Sequence, residues 1–280
     1  MGDSAGRTIH FAKMSGAGND FVVIDNRAGV VPEPATQFAA RVCARQAAVS
    51  ADGLLLLERS PRKDFRMRYF NTDGSEAEMC GNGGRCIARF AVLVGASGPD
   101  MQFENLAGDF HAAVASDGLV RLDMTQPHSE RLGVRVETSR GPLEVASLNT
   151  GVPHVVLPWD DLAAAPVPEL GRELRYHEAF APKGTNVNFV RVTGPSAIAV
   201  RTYERGVEGE TLACGTGSVA SAILMARLGR VKPPVAVSVR SGATLRIHFA
   251  LAGERATGVV LEGEAVVLYE GDLRIEAFGY

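Results

Sequence analysis

Two cysteines of this chain occupy the same eight-residue frame. Glu76–Gly83 and Glu210–Gly217 both read Glu-x-x-x-Cys-Gly-x-Gly, which places Cys80 and Cys214 at equivalent positions. Small and apolar residues at helical spacing follow each frame, so both cysteines are predicted to stand at helix N-termini. Free backbone N–H groups and the positive end of a helix dipole lower a thiol pKa and bind anions there. A turn followed by a buried thiol explains one such site, but less readily two in one frame. The two cysteines together indicate an enzyme that removes a proton from one face of a carbon and delivers a proton to the opposite face.

The composition excludes several classes of function. At 280 residues and 46% hydrophobic content, the chain can bury one large core or two of ordinary size. A net charge of −3 gives no reason to expect a nucleic-acid or anionic-membrane partner. The opening Met1–Ser4 lacks the features of a secretory leader, and the longest tight apolar run, Leu54–Leu57, is too short to span a bilayer. We therefore expect a cytoplasmic protein.

Neither a metal nor a nucleotide site is expected. The four cysteines show no Cys-x-x-Cys spacing, so reduced thiols are expected, and Cys43 and Cys86 fall on apolar helical faces that indicate a structural role. The spacing of Cys80 and Cys86 does not match the usual zinc-ligand spacing. Gly16–Gly18 lacks the third glycine of a dinucleotide-binding loop and leads into a strand rather than a helix.

The order of predicted elements indicates an α/β protein with two similarly built halves. Strand-like segments and one cysteine helix occur in each half, and the second half begins near Gln126-Pro127. We predict an N-terminal half over residues 1–127 and a C-terminal half over residues 128–267, with a strand in 268–280 returning to the first half. A cleft between the halves is the expected site for a ligand.

Polar residues next to the two frames are candidates for substrate recognition. Glu204 and Arg205 precede the second frame, Asn71 precedes the first, and His154 stands in a glycine–proline turn. Each has an ordinary alternative: a surface ion pair, a turn residue or a core histidine. In a cleft, Arg205 could bind a carboxylate with two hydrogen bonds, Glu204 an ammonium group, and Asn71 the remaining polar atoms.

The chain resembles the diaminopimelate epimerases. The resemblance is carried by segments in the family's order between residues 13 and 217: Lys13–Phe21, Phe70–Cys86, Gly184–Val187, Tyr203–Arg205 and Leu212–Gly217. It implies a pyridoxal-independent epimerase that interconverts LL- and meso-2,6-diaminopimelate on the lysine and peptidoglycan route and needs no cofactor. It also implies two pseudo-symmetric α/β domains, each a β-sheet wrapped around a central helix, and a homodimer.

The resemblance also implies roles for individual residues. Cys80 and Cys214 match the two acid–base thiols of the family. Backbone N–H groups of four matching residues hold the reacting carboxylate: Gly81, Asn82, Gly215 and Thr216. Glu204 and His154 match residues that orient the thiols and the amine. The distal amino acid end is bound by residues that match Arg205, Asn71 and Asn186, and Asn19 matches an asparagine that lines the cleft. Backbone N–H groups aimed at a carboxylate that gains charge stabilise the transition state more than the ground state.

Two departures from the family pattern concern the distal end. Val152 stands where the family often has asparagine, and the loop Gly206–Glu210 is one residue longer than the commoner form. They leave open a racemase or epimerase of another amino acid, of the histidine or hydroxyproline type. A non-catalytic relative that binds an amino acid is a further alternative, against which the presence of both thiols argues.

Overall fold

The computed structural model describes residues 7–46, 48–253 and 255–280. They divide into two compact units. Unit 1 contains the described residues up to Leu122 together with Glu264–Tyr280, and unit 2 contains those of Asp123–Gly263. The division after Leu122 lies slightly before the boundary predicted at residue 127. Met1–Ser4, on which the expectation about a leader depends, lies outside the described residues.

The described part of unit 1 consists of strands and two α-helices. The helices are α1 (Ala35–Cys43) and α2 (Gly81–Leu93). The strands are β1 (Thr8–Gly16), β2 (Asn19–Asp25), β3 (Gly53–Glu58), β4 (Phe65–Asn71), β5 (Glu76–Ala77), β6 (Asp100–Asn105), β7 (Gly108–Val114), β8 (Val120–Asp123) and β18 (Val266–Arg274).

The described part of unit 2 has the same kinds of element in the same order along most of its length. Its helices are α3 (Val167–Arg175) and α4 (Gly215–Arg227). Its strands are β9 (His128–Thr138), β10 (Gly141–Asn149), β11 (Pro153–Pro158), β12 (Asn186–Gly194), β13 (Ala197–Glu204), β14 (Gly209–Thr211), β15 (Val235–Ser238), β16 (Thr244–Ala252) and β17 (Arg255–Gly263).

The strands of the two units pair in one common pattern. In unit 1 the order is β18-β1-β2-β3-β4-β6-β7-β8, with parallel pairing only at β2/β3 and β4/β6. In unit 2 it is β9-β10-β11-β12-β13-β15-β16-β17, with parallel pairing only at β11/β12 and β13/β15. The short strands β5 and β14 pair with β4 and β13. The mixed α/β class is confirmed, and β18 takes in unit 1 the place that β9 takes in unit 2.

Each cysteine helix lies inside the sheet of its own unit. Helix α2 contacts β1 to β4 and β7, and α4 contacts β10 to β13 and β15 to β17. Both helices are built largely from glycine, alanine, serine and aliphatic residues, and nearly all of their residues are buried. A helix that is apolar or small on all sides is stable only when it is surrounded by other elements. The description of a sheet wrapped around a central helix therefore fits both units.

The remaining helices cover the other face of each sheet. Helix α1 contributes Phe38 to a core cluster with Leu54 and Leu56 of β3. Because β3 is covered on both faces, Leu54–Leu57 is fully buried, which explains a continuous apolar run in a strand. In unit 2, α3 contributes Leu170 to the corresponding cluster. None of the helices in the described ranges is long and apolar enough to cross a bilayer.

The glutamates that open the two cysteine frames form ion pairs with arginines of the neighbouring strand. Glu76 accepts two hydrogen bonds from Arg68, at 2.9 and 2.8 Å, and Glu210 accepts two from Arg201, at 2.7 and 2.8 Å. The hydrogen bonds from Arg68 are the main favourable cause of the lowered pKa of Glu76, against the opposing effect of burial. Each pair fastens the short strand before a cysteine to the sheet.

We expect Glu76→Gln to lower the free energy of unfolding by about 1–3 kcal/mol at pH 7, because one charged member of a partly buried pair is lost. The folded-state pKa of Glu76 is lowered from its ordinary value of 4.5. The pair therefore stabilises the fold above pH 4.5, and this contribution is lost as the pH falls through the lowered pKa. Urea unfolding at neutral and acidic pH measures the difference. Glu270→Gln, at an exposed strand position, is the control, and equal effects of the two substitutions at pH 7 would contradict the assignment.

Candidate functional site

Cys80 and Cys214 have the same backbone geometry. Each is the N-cap residue of its helix in extended conformation, with φ −130° and ψ 120° at Cys80 and φ −127° and ψ 111° at Cys214. The prediction that both stand at helix N-termini is confirmed. The helix itself supplies no acceptor for the N–H groups of its first turn, so each cysteine lies beside backbone donors that can bind an anion.

The four cysteines, all within the described ranges, are present as thiols. Burial raises the pKa of both Cys43 and Cys86 to about 12, so these two stay protonated at neutral pH. Cys80 is half-buried, and Cys214 is 7% exposed. Cys43 and Cys86 are therefore poor candidates for acid–base chemistry near neutral pH, which leaves Cys80 and Cys214 as the candidate thiols.

In unit 1, two of the predicted site residues are joined by a hydrogen bond. The Asn82 side chain, 2% exposed, donates to Asn19 Oδ1 at 2.6 Å, and Asn19 Nδ2 donates to Asp52 Oδ2 at 3.0 Å. Asp52 and Asp20 exchange backbone-to-carboxylate hydrogen bonds, and Asp20 pairs with the buried Lys13 at 2.7 Å. The first turn of α2 is thus anchored to the turn between β1 and β2.

Arg85 is a functional candidate that the sequence analysis missed. Its side chain is fully buried and donates to the Gly81 carbonyl at 3.2 Å, to Asn82 Oδ1 at 3.1 Å and to the Glu264 carbonyl at 3.5 Å. Across the described ranges, its hydrogen-bond acceptors are neutral oxygens only. Burial lowers the pKa of Arg85, but a guanidinium stays protonated in proteins. An arginine in a helix of small and apolar residues was the available signal.

In unit 2, His154 lies fully buried between two side-chain partners. Its Nε2 is 3.0 Å from Thr216 Oγ1, and its Nδ1 is 3.1 Å from Asn188 Nδ2. Burial, with a smaller contribution from the positive charge of Arg205, lowers the pKa of His154 to about 3. The imidazole is therefore neutral at physiological pH.

Thr216 connects this histidine to the second thiol. Its Oγ1 is 3.5 Å from Cys214 Sγ, and its carbonyl accepts a hydrogen bond from Thr150 Oγ1 at 3.1 Å. The two predicted residues His154 and Thr216 are thus in contact, and the hydroxyl of Thr216 lies between the imidazole and the sulfur.

Asn186 and Arg205 are also brought together. Asn186 Nδ2 donates to the Pro153 carbonyl at 3.0 Å, and its Oδ1 accepts the backbone N–H of Arg205 at 2.8 Å. The half-buried Arg205 side chain donates to the Lys183 carbonyl at 3.3 Å. In the described structure, Asn186 holds the turn before His154 and the backbone of Arg205.

Asn71 and Glu204 end the strands β4 and β13. Asn71 closes a turn, since its backbone N–H and its Nδ2 donate to the carbonyl and the hydroxyl of Ser75 at 2.9 and 3.1 Å. Glu204 is half-buried, and its carbonyl accepts the N–H of Glu208 at 2.9 Å. Both residues thus end a strand that leads into a short loop and then into a cysteine frame.

Metal-ligating side chains do not cluster in the part of the chain that the structure describes. Its His, Cys, Asp and Glu residues form no group of three or more that could hold a metal ion.

Comparison with known sequences identifies the family. The family model described as diaminopimelate epimerase matches residues 11–129 and 146–268. The diaminopimelate epimerase of Aquifex aeolicus is 45% identical over 97% of this chain and 100% of its own length. That of Archaeoglobus fulgidus is 44% identical over 97% of this chain and 99% of its own length.

Two solved structures with the same fold have low sequence identity to this chain. A PhzF-family phenazine biosynthesis protein of Bacillus anthracis has a TM-score of 0.74 at 16% identity, over 95% of this chain and 99% of its own. A hydroxyproline epimerase of Agrobacterium vitis with bound trans-4-hydroxy-L-proline has a TM-score of 0.70 at 17% identity, over 96% of this chain and 93% of its own. The structural likeness concerns the fold, whereas the sequence matches concern the family: this chain belongs to the diaminopimelate epimerase family.

Proposed function

We propose that this enzyme converts LL-2,6-diaminopimelate to meso-2,6-diaminopimelate without a cofactor, in lysine and peptidoglycan precursor biosynthesis. Cys80 and Cys214 are the acid–base pair. The observation that carries the proposal is the repetition of one thiol geometry, an N-cap cysteine in extended conformation at the start of a buried helix, in a chain of this family.

The reaction needs two groups and a stabilised carbanion. One thiolate takes the α-proton, and the other cysteine, as a thiol, gives a proton to the opposite face of the same carbon. Charge then builds on the adjacent carboxylate, which the N–H groups of Gly81, Asn82, Gly215 and Thr216 bind. Donors fixed before the reaction lower the barrier because they need not reorganise as the charge develops.

Recognition of the distal amino acid end is assigned to Arg205, Asn71 and Asn186. Glu204 and His154 orient the thiols and the amine, and Asn19 lines the site. The Arg205 guanidinium, with a backbone carbonyl as its acceptor, is available for a carboxylate. Asn186 supports it by holding the Arg205 backbone. Val152 offers no amide at this end, so more of the carboxylate contact falls to Arg205. From the same family membership we infer a homodimer in the cytoplasm.

Removal of either thiol is expected to abolish epimerisation. Cys80→Ala or Cys214→Ala leaves at most exchange of the α-proton in one stereoisomer, since each thiol serves one face. In heavy water, the parent enzyme should place deuterium in the product early, while recovered substrate stays unlabelled. Nuclear magnetic resonance and chiral chromatography measure both.

The matched control is Cys86→Ala, which removes a buried thiol from the same helix as Cys80 and should keep most of the activity. Equal early labelling of substrate and product in the parent would indicate a single base and contradict the two-thiol mechanism.

Substitution of Arg205 is expected to reduce kcat/KM for diaminopimelate strongly. Loss of one side of a charge-assisted pair costs on the order of 2–5 kcal/mol, which corresponds to a decrease in kcat/KM of roughly thirtyfold or more. Arg205→Lys should lower kcat/KM as well, because the ammonium group of lysine cannot form the two parallel hydrogen bonds that a planar guanidinium makes with a carboxylate. Val152→Asn should change kcat/KM far less.

Arg191→Ala, at an exposed strand position, is the control for loss of one positive charge. The comparison includes lysine, which lacks the second carboxylate, as well as histidine and hydroxyproline. Faster turnover of any of these by the parent would assign the enzyme to another amino acid, and only the racemase chemistry would remain.

A further inference from the structure

Asn188 is a fully buried polar residue to which no role has been assigned, and its contacts determine which way its amide points. Its Nδ2 lies 2.9 Å from the Val155 carbonyl oxygen, which can only accept a hydrogen bond. Its Oδ1 accepts the Thr202 hydroxyl at 2.9 Å. The NH₂ group therefore faces both the carbonyl and His154, and the oxygen faces Thr202.

This orientation determines the tautomer of His154. The second hydrogen of Asn188 Nδ2 points to His154 Nδ1, 3.1 Å away, so Nδ1 must be the acceptor. In a neutral imidazole the other nitrogen then carries the hydrogen. His154 Nε2–H consequently donates to Thr216 Oγ1 at 3.0 Å.

The hydroxyl of Thr216 accepts from His154, and its own hydrogen remains to be donated. Cys214 Sγ lies 3.5 Å from this hydroxyl. We propose that Asn188 is a positioning residue that holds His154 as the Nε2–H tautomer and thereby directs the Thr216 hydrogen to Cys214, which stabilises its thiolate. The effect on catalysis rests on the function proposed above, whereas the tautomer and the state of the thiol do not.

The repeat shows that packing alone does not need these polar residues. In unit 1, Phe21 of β2 pairs with Gly53 of β3, and in unit 2, His154 of β11 pairs with Asn186 of β12. Phe21 therefore occupies the position of His154. Leu55 likewise occupies the position of Asn188. Leu55 of β3 pairs with Tyr69 of β4, and Asn188 of β12 pairs with Thr202 of β13, the corresponding strand. Phe21 and Leu55 are buried apolar residues.

The first helical turns give the same correspondence. A Cβ on Gly83 would meet Leu55 Cδ2 at 3.3 Å, and a Cβ on Gly217 would meet Asn188 Oδ1 at 2.4 Å. Burying polar groups costs free energy unless every hydrogen bond is made. Unit 2 keeps a fully hydrogen-bonded polar network at positions where unit 1 is apolar, which indicates a use for the network below Cys214.

The test begins with the parent protein labelled with ¹⁵N-histidine. The spectrum reports which nitrogen of each of the six histidines carries the hydrogen, and His154→Gln identifies the signal of His154. We expect hydrogen on Nε2 and none on Nδ1. A parent spectrum with hydrogen on Nδ1 would overturn the proposal without any variant.

Asn188→Asp then changes a donor into an acceptor of nearly the same shape. Nδ1 should now carry the hydrogen; in the neutral imidazole Nε2 then accepts from Thr216, and Cys214 should lose the Thr216 hydroxyl as a donor. Alkylation of Cys214 by iodoacetamide at neutral pH should slow roughly tenfold or more, while that of Cys80 stays unchanged as an internal reference. A reversed tautomer with unchanged Cys214 alkylation, or an unreversed tautomer, would contradict the proposal.

Thr216→Val keeps the test decisive if Asn188→Asp fails to fold. It removes the hydroxyl and leaves Asn188 and His154 in contact, so His154 should keep hydrogen on Nε2 while Cys214 alkylation slows. Unchanged alkylation would exclude the hydroxyl as the donor to the thiolate. Since neither readout uses turnover, a failure of the proposed epimerase activity would appear separately, as absent diaminopimelate conversion by the parent.

Discussion

Backbone donors at the start of a buried helix are the constraint on which each unit depends. The first N–H groups of a helix have no acceptor within the helix, and burying them costs free energy unless another group supplies an acceptor. Cysteine at the N-cap and glycine at the next and third positions leave room beside these donors. The surrounding sheet and the Arg68–Glu76 and Arg201–Glu210 pairs hold the helix in place. An anion is the natural partner of such a helix start.

One scaffold supports two thiols through different chemistry. Below Cys80, the buried cation of Arg85 acts on Asn82 and, through Asn19, on the carboxylate of Asp52. Below Cys214, the neutral His154 acts through a hydroxyl. The strand pairing is the same in both units, so the difference lies in side chains alone. Two thiols with distinct surroundings suit a reaction in which one sulfur is ionised while the other is protonated.

The sequence predicted those features that depend on neighbouring residues. The two frames, the N-terminal positions of the cysteines and the two-part α/β plan follow from local spacing. Arg85 and Asn188 were missed because their partners come from strands far away in sequence, and register cannot be read from composition. Helix α3 was missed because prolines and a glycine weaken its pattern, although α1 at the same place in unit 1 implies it. The glutamates that open the two frames were used only to define them, and their pairing with arginines of the sheet was not predicted.

The neutral state of His154 follows from its network, and it fits the proposed role of Cys214, in which the sulfur alternates between thiol and thiolate. An imidazolium would need an acceptor at Nδ1, where Asn188 presents a hydrogen, so protonation would break the contact. A cation held against Cys214 would also keep the sulfur ionised and oppose its return to the thiol. A hydroxyl can donate to a thiolate and can accept from a thiol, so it supports both states. In the proposed mechanism, support through Thr216 therefore stabilises the thiolate while still allowing Cys214 to take up and release a proton in each turnover.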